Sequence, residues 1–318
     1  MTEARHYWPL KIGLLITAIA WFLFSFHELF KATVNISEYT FFPGPGATWI
    51  LVTDVSGVIG LITRTVAGLI AVTAILFYFT RGLSRALTLK IVKAIIVFEA
   101  IYCLSLLISG IWGVLPPALA GFGGTSGADV LFFSWSFLIN TGIPCLVESI
   151  AIPIALFKLF FALNPNKPQK GAIKWGLISG TLYVFVFWLN NATSWIIVVM
   201  EKGTEYVTAY PDHILSFGLT IIGLLALAVY AAYFTKKSIG TEPWQKLDLR
   251  KIGAIITALG LYFLVIYVMW LTVGTKIVDG EDIKWSGWYA WFLGHNMDLW
   301  ALSLPLVGLP LLFKRKSS

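Results

Sequence analysis

The chain alternates between long apolar stretches and short polar connections. Each of the long stretches can cross a bilayer, which requires about 20 mainly apolar residues. These stretches lie at residues 10–32, 55–80, 91–115, 130–161, 175–200, 213–235, 252–275 and 288–313. Little sequence remains between them for a water-soluble domain. The pattern predicts an all-α, polytopic membrane protein with about eight transmembrane helices, forming a single integral membrane domain over residues 1–318 of a multi-pass protein of the cell membrane.

Composition supports a lipid environment over an aqueous one. The chain is 58% hydrophobic and only 12% charged, whereas roughly a quarter of the residues in an ordinary soluble protein are charged. Its net charge of +7 does not indicate nucleic-acid binding, because the basic residues separate apolar stretches and form no basic stripe. We therefore expect contact with the lipid bilayer and none with nucleic acid.

Lysine and arginine concentrate in every second connection. The basic connections are residues 81–93, 158–174, 236–251 and 314–316. Since cytoplasmic loops of membrane proteins are enriched in Lys and Arg, these connections are expected to be cytoplasmic. The other connections carry mostly Gly, Pro and aromatic residues and are expected to face outward. Both termini are then cytoplasmic.

The ends of the predicted spans resemble one another. Lys-Ile-Gly at residues 11–13 and 251–253 opens two spans, and Tyr-Phe-Thr followed by a basic residue closes two others, at 78–81 and 233–236. The chain can thus be divided into four helical hairpins. Their limits are 11–81, 90–158, 174–236 and 251–314. Similar sequences recur at membrane boundaries in general, so a true internal repeat and a chance likeness both stay open.

Several ionisable or polar residues fall inside the spans at one depth. Counting from the basic residue at the cytoplasmic end of each helix, at about 1.5 Å per residue, places His27 about 24 Å into the membrane. The same count places Arg64, Asn190 and Asp298 within a few Å of that level, with His295 about one turn further out and His213 nearby. Because such residues are costly in lipid, the sequence predicts a functional layer near the outer face.

The histidines of this layer suggest two kinds of chemistry. A neutral imidazole can bind haem iron, and it can also accept a proton from a quinol hydroxyl. His295 with either His27 or His213 could supply the two iron ligands of one haem b. The alternative is that His27 and His213 are helix-end residues that contact lipid headgroups.

A second cluster is predicted between the third and fourth spans. Glu99 is nine positions from Lys90 and Glu148 is ten from Lys158, so the two carboxylates are expected at similar depth in the inner half of the membrane. Cys103 and Cys145 are expected about one turn above them, on the same helix faces. Like-charge repulsion and desolvation favour a proton shared by two such carboxylates. We interpret the pair as a proton relay; two protonated acids bonded to the backbone are the alternative.

Two resemblances follow from these features. Trp-Phe-Leu-Gly-His at 291–295 resembles the copper-ligand helix of haem–copper oxidases, but the paired histidines and haem ligands of that family are absent, which excludes an oxidase catalytic subunit. Polar residues near the outer face of eight spans are similar in plan to quinol-oxidising anchors of the polysulfide-reductase type and to hydrophobic subunits paired with archaeal b-type cytochromes. That resemblance implies a quinol contact at His27.

The sequence therefore favours a membrane subunit of a respiratory electron-transfer complex. It is expected to bind quinol, or one haem b, near the outer face and to pass electrons to other membrane or extracellular redox subunits. The expected residues around the quinol are His27, His295, Asp298 and Arg64, with the histidines and the aspartate accepting protons and Arg64 holding the partly anionic quinol oxygen. A secondary transporter with internal repeats and a structural membrane anchor without a site of its own are the alternatives.

Overall fold

The computed structural model describes residues 8–41, 47–114, 139, 142–164, 169–208, 211–239, 248–273 and 297–313. Every regular element in these ranges is a helix. The helices, in chain order, are α1 (Trp8–Phe41), α2 (Ala47–Thr80), α3 (Arg85–Val114), α4 (Ile143–Ala162), α5 (Gln169–Thr208), α6 (Pro211–Gly218, a π-helical turn at Leu219–Gly223, and Leu224–Ser238), α7 (Leu249–Val273) and α8 (Met297–Leu312).

Seven of these helices are long and apolar enough to cross a membrane. They are α1 to α7, whose apolar segments range from 20 to 31 residues. The described part of α8 is shorter. Residues 274–296, which precede it, lie outside the described residues, and so do residues 130–138 of the predicted fourth span. The prediction of an all-helical protein with multiple membrane-crossing segments is confirmed, while an eighth span and the cytoplasmic position of both termini stay predictions.

Consecutive helices pack side by side around the molecule. Each helix from α1 to α7 contacts the next helix in the chain, and α8 also packs against α1. The two helices of each predicted hairpin are therefore neighbours. Large apolar side chains such as Phe30, Ile222 and Tyr233 are exposed on the outside, where lipid would cover them.

Glycines allow α8 to approach its two neighbours closely. A Cβ atom added at Gly13 of α1 would lie 2.8 Å from the backbone nitrogen of Val307. One added at Gly253 of α7 would lie 2.6 Å from the carbonyl oxygen of Gly308. Without side chains at these positions the backbones touch, as in the small-residue interfaces of other membrane helices.

A compact apolar core lies between α3, α4 and α5. It is formed by Ile96, Ala100, Cys103, Ile152, Leu156 and Val186. Pro153 lies inside α4 and is also fully buried. Because protein interiors of this density hold side chains in fixed rotamers, this core fixes the faces of α3, α4 and α5 that carry the polar residues described next.

Candidate intramembrane charge cluster

An ion pair joins α2 to α3 within the membrane-crossing segments. Nε of Arg64 lies 3.6 Å from Oε2 of Glu99, and the two side chains are only 18% and 9% exposed. The Arg64 guanidinium also lies 4.2 Å from the centre of the Tyr102 ring, a cation–π contact. A single charge in this environment is expensive, and a nearby opposite charge with an aromatic face offsets part of that cost.

Tyr183 connects this ion pair to α5. Its hydroxyl donates a hydrogen bond of 3.0 Å to Oε1 of Glu99, and Sγ of Cys103 lies 3.9 Å from the same hydroxyl. Both carboxylate oxygens of Glu99 therefore face a polar group, one on α2 and one on α5. Hydrogen bonds to a charged acceptor are about twice as strong as neutral ones. The arrangement holds Glu99 in place between three helices.

The second carboxylate, Glu148 on α4, has its own partner on α5. The Asn190 side chain lies beside that of Glu148, and Arg64 and Glu99 lie near enough for their charges to act on this carboxylate. Arg64, Glu99, Tyr183, Glu148 and Asn190 together are called the charge cluster below. It joins α2, α3, α4 and α5.

The charge cluster has two levels along the membrane normal. Tyr183 and Asn190 are seven positions apart in α5, which puts them on one helix face about 10 Å apart in height. Glu99 lies at the Tyr183 level and Glu148 at the Asn190 level. The Arg64 guanidinium lies 3.6 Å from Glu99 and acts on Glu148 through longer-range electrostatics. The polar groups of the charge cluster thus lie at two heights beside α5.

Contacts between α3 and α4 give the same difference in height between Glu99 and Glu148. Nζ of Lys93 lies 4.8 Å from the centre of the Phe160 ring, and a Cβ atom added at Gly110 would lie 3.2 Å from Cβ of Cys145. This alignment puts Glu148 opposite Leu106, seven positions from Glu99 and about 10 Å further along the helix. The equal depth expected for the two carboxylates is therefore corrected, as is that of Cys103 and Cys145, because Cys145 lies beside Gly110.

The cause of this difference is the choice of reference residues. In the same alignment Lys158 lies opposite Ile96, six positions beyond Lys90, so the two lysine backbones are not at one depth. Lysine side chains can extend along the helix to bring the ammonium group to the surface. A basic residue thus marks the membrane boundary only to within about one or two turns.

Arg64 lies near the level of His27, as counting predicts, because a Cβ atom added at Gly68 of α2 would lie 2.9 Å from Cα of Phe22 and Trp8 packs against Phe79. The position of Glu99 is what differs. Counting placed Arg64 with His27 and Asp298, well above Glu99, yet Arg64 contacts Glu99 directly. Helix α3 begins at Arg85, five residues before Lys90. Glu99 is therefore further from the predicted cytoplasmic ends of the helices than the count from Lys90 indicated. Arg64 and Asn190 therefore belong to the same cluster as Glu99 and Glu148.

His27 and His213 lie on helices outside the group α2 to α5 that carries the charge cluster, and His295 lies outside the described residues. His213, near the start of α6, donates a hydrogen bond of 3.0 Å from Nδ1 to the carbonyl oxygen of Tyr206. Its ring packs against Tyr206 and Trp195, with centroid distances of 4.6 and 6.1 Å. His27 lies on α1, which packs against α2 and α8. His27 is thus on the first helix and His213 on the sixth.

The remaining predicted residues are only partly described. His295 lies outside the described residues, and for Asp298 the structure describes the backbone alone, in the first turn of α8. The contact of Gly13 with Val307 puts the Asp298 backbone level with the region around Trp21 and Phe22 of α1. That is about 8 Å along α1 from His27. The predicted outer site of His27, His295 and Asp298 stays a prediction.

A cavity adjoins the inner level of the charge cluster. It has a volume of about 500 Å³ and lies between α5, α6 and α7. Its walls are mostly apolar, and the polar residues that line it include Thr181, Thr235 and Tyr183, whose hydroxyl is directed to α3. The hydroxyl oxygens of Thr181 and Thr235 are 2.7 Å apart. Tyr183 therefore lines the cavity and also contacts Glu99.

Sequence reasoning missed Tyr183 and Tyr102. Neither residue is charged at neutral pH, so a search for ionisable groups in apolar spans passed over both. A signal was present, because Tyr183 precedes Asn190 by seven positions and therefore shares its helix face. A tyrosine on the same helix face as a polar intramembrane residue is therefore a candidate member of the same site.

The described residues contain no group of three or more His, Cys, Asp or Glu side chains placed to hold a metal ion. Searches of protein-family profiles, curated proteins and solved structures found no match to this chain. The charge cluster is thus the basis for any statement on function.

Proposed function

We propose that the protein is a membrane subunit of a respiratory electron-transfer complex in which the charge cluster carries the protons released by quinol. The observation that supports this best is the chain of contacts from the apolar cavity through Tyr183 and Glu99 to Arg64. An acid–base pair beside an apolar cavity is what proton exchange with a membrane-dissolved molecule requires.

In the proposed reaction the electrons and the protons of the quinol go to different acceptors. Oxidation of one quinol to quinone releases two protons and two electrons. The electrons pass to a redox partner subunit of the complex. The protons pass to the Glu99 carboxylate and then to the Glu148 carboxylate, while Arg64 and Asn190 keep their protonation states and hold the two carboxylates. Because Glu99 and Glu148 lie about 10 Å apart in height, the second level lies nearer the outer ends of the spans.

The outer residues keep a place in this proposal. His27, His295 and Asp298 would receive protons beyond the Glu148 level. One haem b, held by His295 with either His27 or His213, would supply one-electron transfer to the partner. A reduced-minus-oxidised visible spectrum of the purified protein tests that part by itself, because a haem b gives an α-band and its absence removes the haem from the proposal.

The experiment that tests the proton role uses the complex as isolated from native membranes through an affinity tag on this chain. Quinol oxidation is measured for the unmodified complex and for Glu99→Gln. The exposed Glu205 near the end of α5 offers a matched control, Glu205→Gln. We expect Glu99→Gln to slow turnover by about 100-fold or more, the usual size of an acid–base contribution, and Glu205→Gln to leave it unchanged. Equal rates in all three would refute the proposal.

A proton-coupled secondary transporter is the second candidate. The position of Arg64 favours it, since Arg64 lies nine residues from one end of its span and sixteen from the other, and carriers usually place their sites near the bilayer midplane. Solute-driven proton uptake by proteoliposomes that contain this chain alone, with loss in Glu99→Gln, would support the transporter over the respiratory subunit.

A further inference from the structure

The cavity between α5, α6 and α7 is elongated along the membrane normal. Its lining on α5 runs from Ala172 to Val184, about 18 Å of helix. Its volume of about 500 Å³ falls within the range of small-molecule sites, roughly 300–1,000 Å³. It lies at the end of the bundle where α5 and α7 begin and α6 ends.

Two glycines open the α5 wall of this cavity. A Cβ atom added at Gly180 would have no neighbour within 4 Å, and one added at Gly176 would touch only the end of the Leu159 side chain at 3.9 Å. The α5 wall is therefore smooth at these positions, and the space beside it is not filled by side chains.

The polar groups of the cavity are placed at one end. Thr181 and Tyr183 lie near the upper limit of the α5 lining, and Thr235 is hydrogen-bonded to Thr181. The Tyr183 hydroxyl in turn contacts Glu99. The remaining lining from α7, Ile252 to Leu259, is apolar. A ligand that fits this distribution has one end able to hydrogen-bond and a long apolar remainder.

We propose that this cavity binds an isoprenoid quinone, with the ring beside Thr181 and Thr235 and the isoprenoid chain along the apolar wall at Gly176 and Ile256. A phospholipid would also match the apolar walls, and its ester carbonyls can accept from the hydroxyls, so the experiment measures both molecules. This assignment rests on the proposed function and moves the quinone contact from the expected outer layer to the inner side of the charge cluster.

Photolabelling with an azido-substituted quinone tests the assignment on the purified complex. Labelled peptides are mapped by mass spectrometry, and quinone and phospholipid are quantified in solvent extracts of the same samples. Gly180→Phe fills the cavity near its polar end. Gly57→Phe is the matched control, because Gly57 also lies within a helix and has nothing within 4 Å of an added Cβ.

We expect labels on α5 and α7 residues of the cavity, with labelling and bound quinone reduced at least about tenfold in Gly180→Phe, a factor that corresponds to a small loss of binding free energy. Gly57→Phe should label like the unmodified protein. Labels spread over lipid-facing helices, or phospholipid in place of quinone in the extracts, would overturn the assignment. If labels map to the cavity but Glu99→Gln keeps full turnover, the proton role fails and the binding site stands.

Discussion

Arg64 on α2 and Glu99 on α3 form an ion pair of 3.6 Å inside the membrane-crossing segments, and Tyr183 bonds the other oxygen of the same carboxylate. The pair links three helices. A buried ion pair contributes little net stability compared with apolar residues of similar volume, but the loss of one partner leaves an uncompensated charge. The presence of the ion pair is therefore weak evidence that it serves stability alone.

Removal of one charge is expected to destabilise the protein more than removal of both. Arg64→Leu or Glu99→Leu alone should lower the free energy of unfolding by about 3–5 kcal/mol, because the remaining charge is buried and unpaired. The double variant should recover much of that loss. Thermal unfolding of the detergent-purified proteins completes the double-mutant cycle, with the exposed Arg85→Leu as the control. Additive losses in the double variant would show that the two residues are not coupled.

Loss of the Tyr183 hydroxyl should loosen Glu99 without removing a charge. Tyr183→Phe deletes the donor to Oε1 of Glu99 and is expected to cost about 1.5–3 kcal/mol, the range for hydrogen bonds to charged groups. Tyr233→Phe, at a side chain that is 60% exposed, provides the comparison and should behave like the unmodified protein. If chemical or thermal unfolding gives equal stabilities for the two variants, the Tyr183 contact does not form.

The outer level of the charge cluster depends on Asn190. Asn190→Leu removes the amide beside Glu148 and keeps the branching of the side chain. We expect slower quinol oxidation with an altered pH profile, and partial recovery in Asn190→Gln, which keeps the amide. A change in stability alone, with an unchanged rate and pH profile, would assign Asn190 a purely structural role.

Close packing of α7 against α8 predicts a steric effect at Gly308. A Cβ atom at this position would lie 2.7 Å from the backbone nitrogen of Thr257 and 2.8 Å from the carbonyl oxygen of Gly253. Gly308→Val should therefore separate the helices and lower the melting temperature by several degrees, since overpacking costs about 1–3 kcal/mol. Gly57→Val, at an open position, should change it little. Similar melting temperatures in both variants would contradict the α7–α8 contact.

Membrane topology follows from the distribution of basic residues. A reporter that is active only in the cytoplasm should be active when fused after Ser318 and inactive when fused after Gly124, because residues 314–316 are basic and the connection around Gly124 is not. The opposite pattern would invert the predicted orientation, and the Glu148 level would then lie nearer the cytoplasm.

The sequence predicted the helical membrane fold because hydrophobic stretches of about 20 residues have few alternatives in a bilayer. It also identified Arg64, Glu99, Glu148 and Asn190 as polar residues within spans. It did not predict that these four share one cluster. That depends on which helix faces meet and on how far each helix extends past its first basic residue, as at Arg85 before Lys90.

Tyr183 shows a second limit of sequence reasoning. Its role follows from a contact between residues 84 positions apart in the chain, and no local pattern encodes that pairing. The cavity is similar, because its walls come from α5, α6 and α7 and its space depends on side chains that are absent at Gly176 and Gly180.

The most direct test of the central claim follows the protonation of the two carboxylates during quinol oxidation. Infrared difference spectra of the purified complex, recorded before and after quinol addition, report the carboxyl C=O stretch. We predict a difference band in that region that is lost or reduced in Glu99→Gln and Glu148→Gln and kept in Glu205→Gln. Identical difference spectra in all four proteins would show that neither carboxylate takes part in proton transfer, and the account of the charge cluster would be wrong.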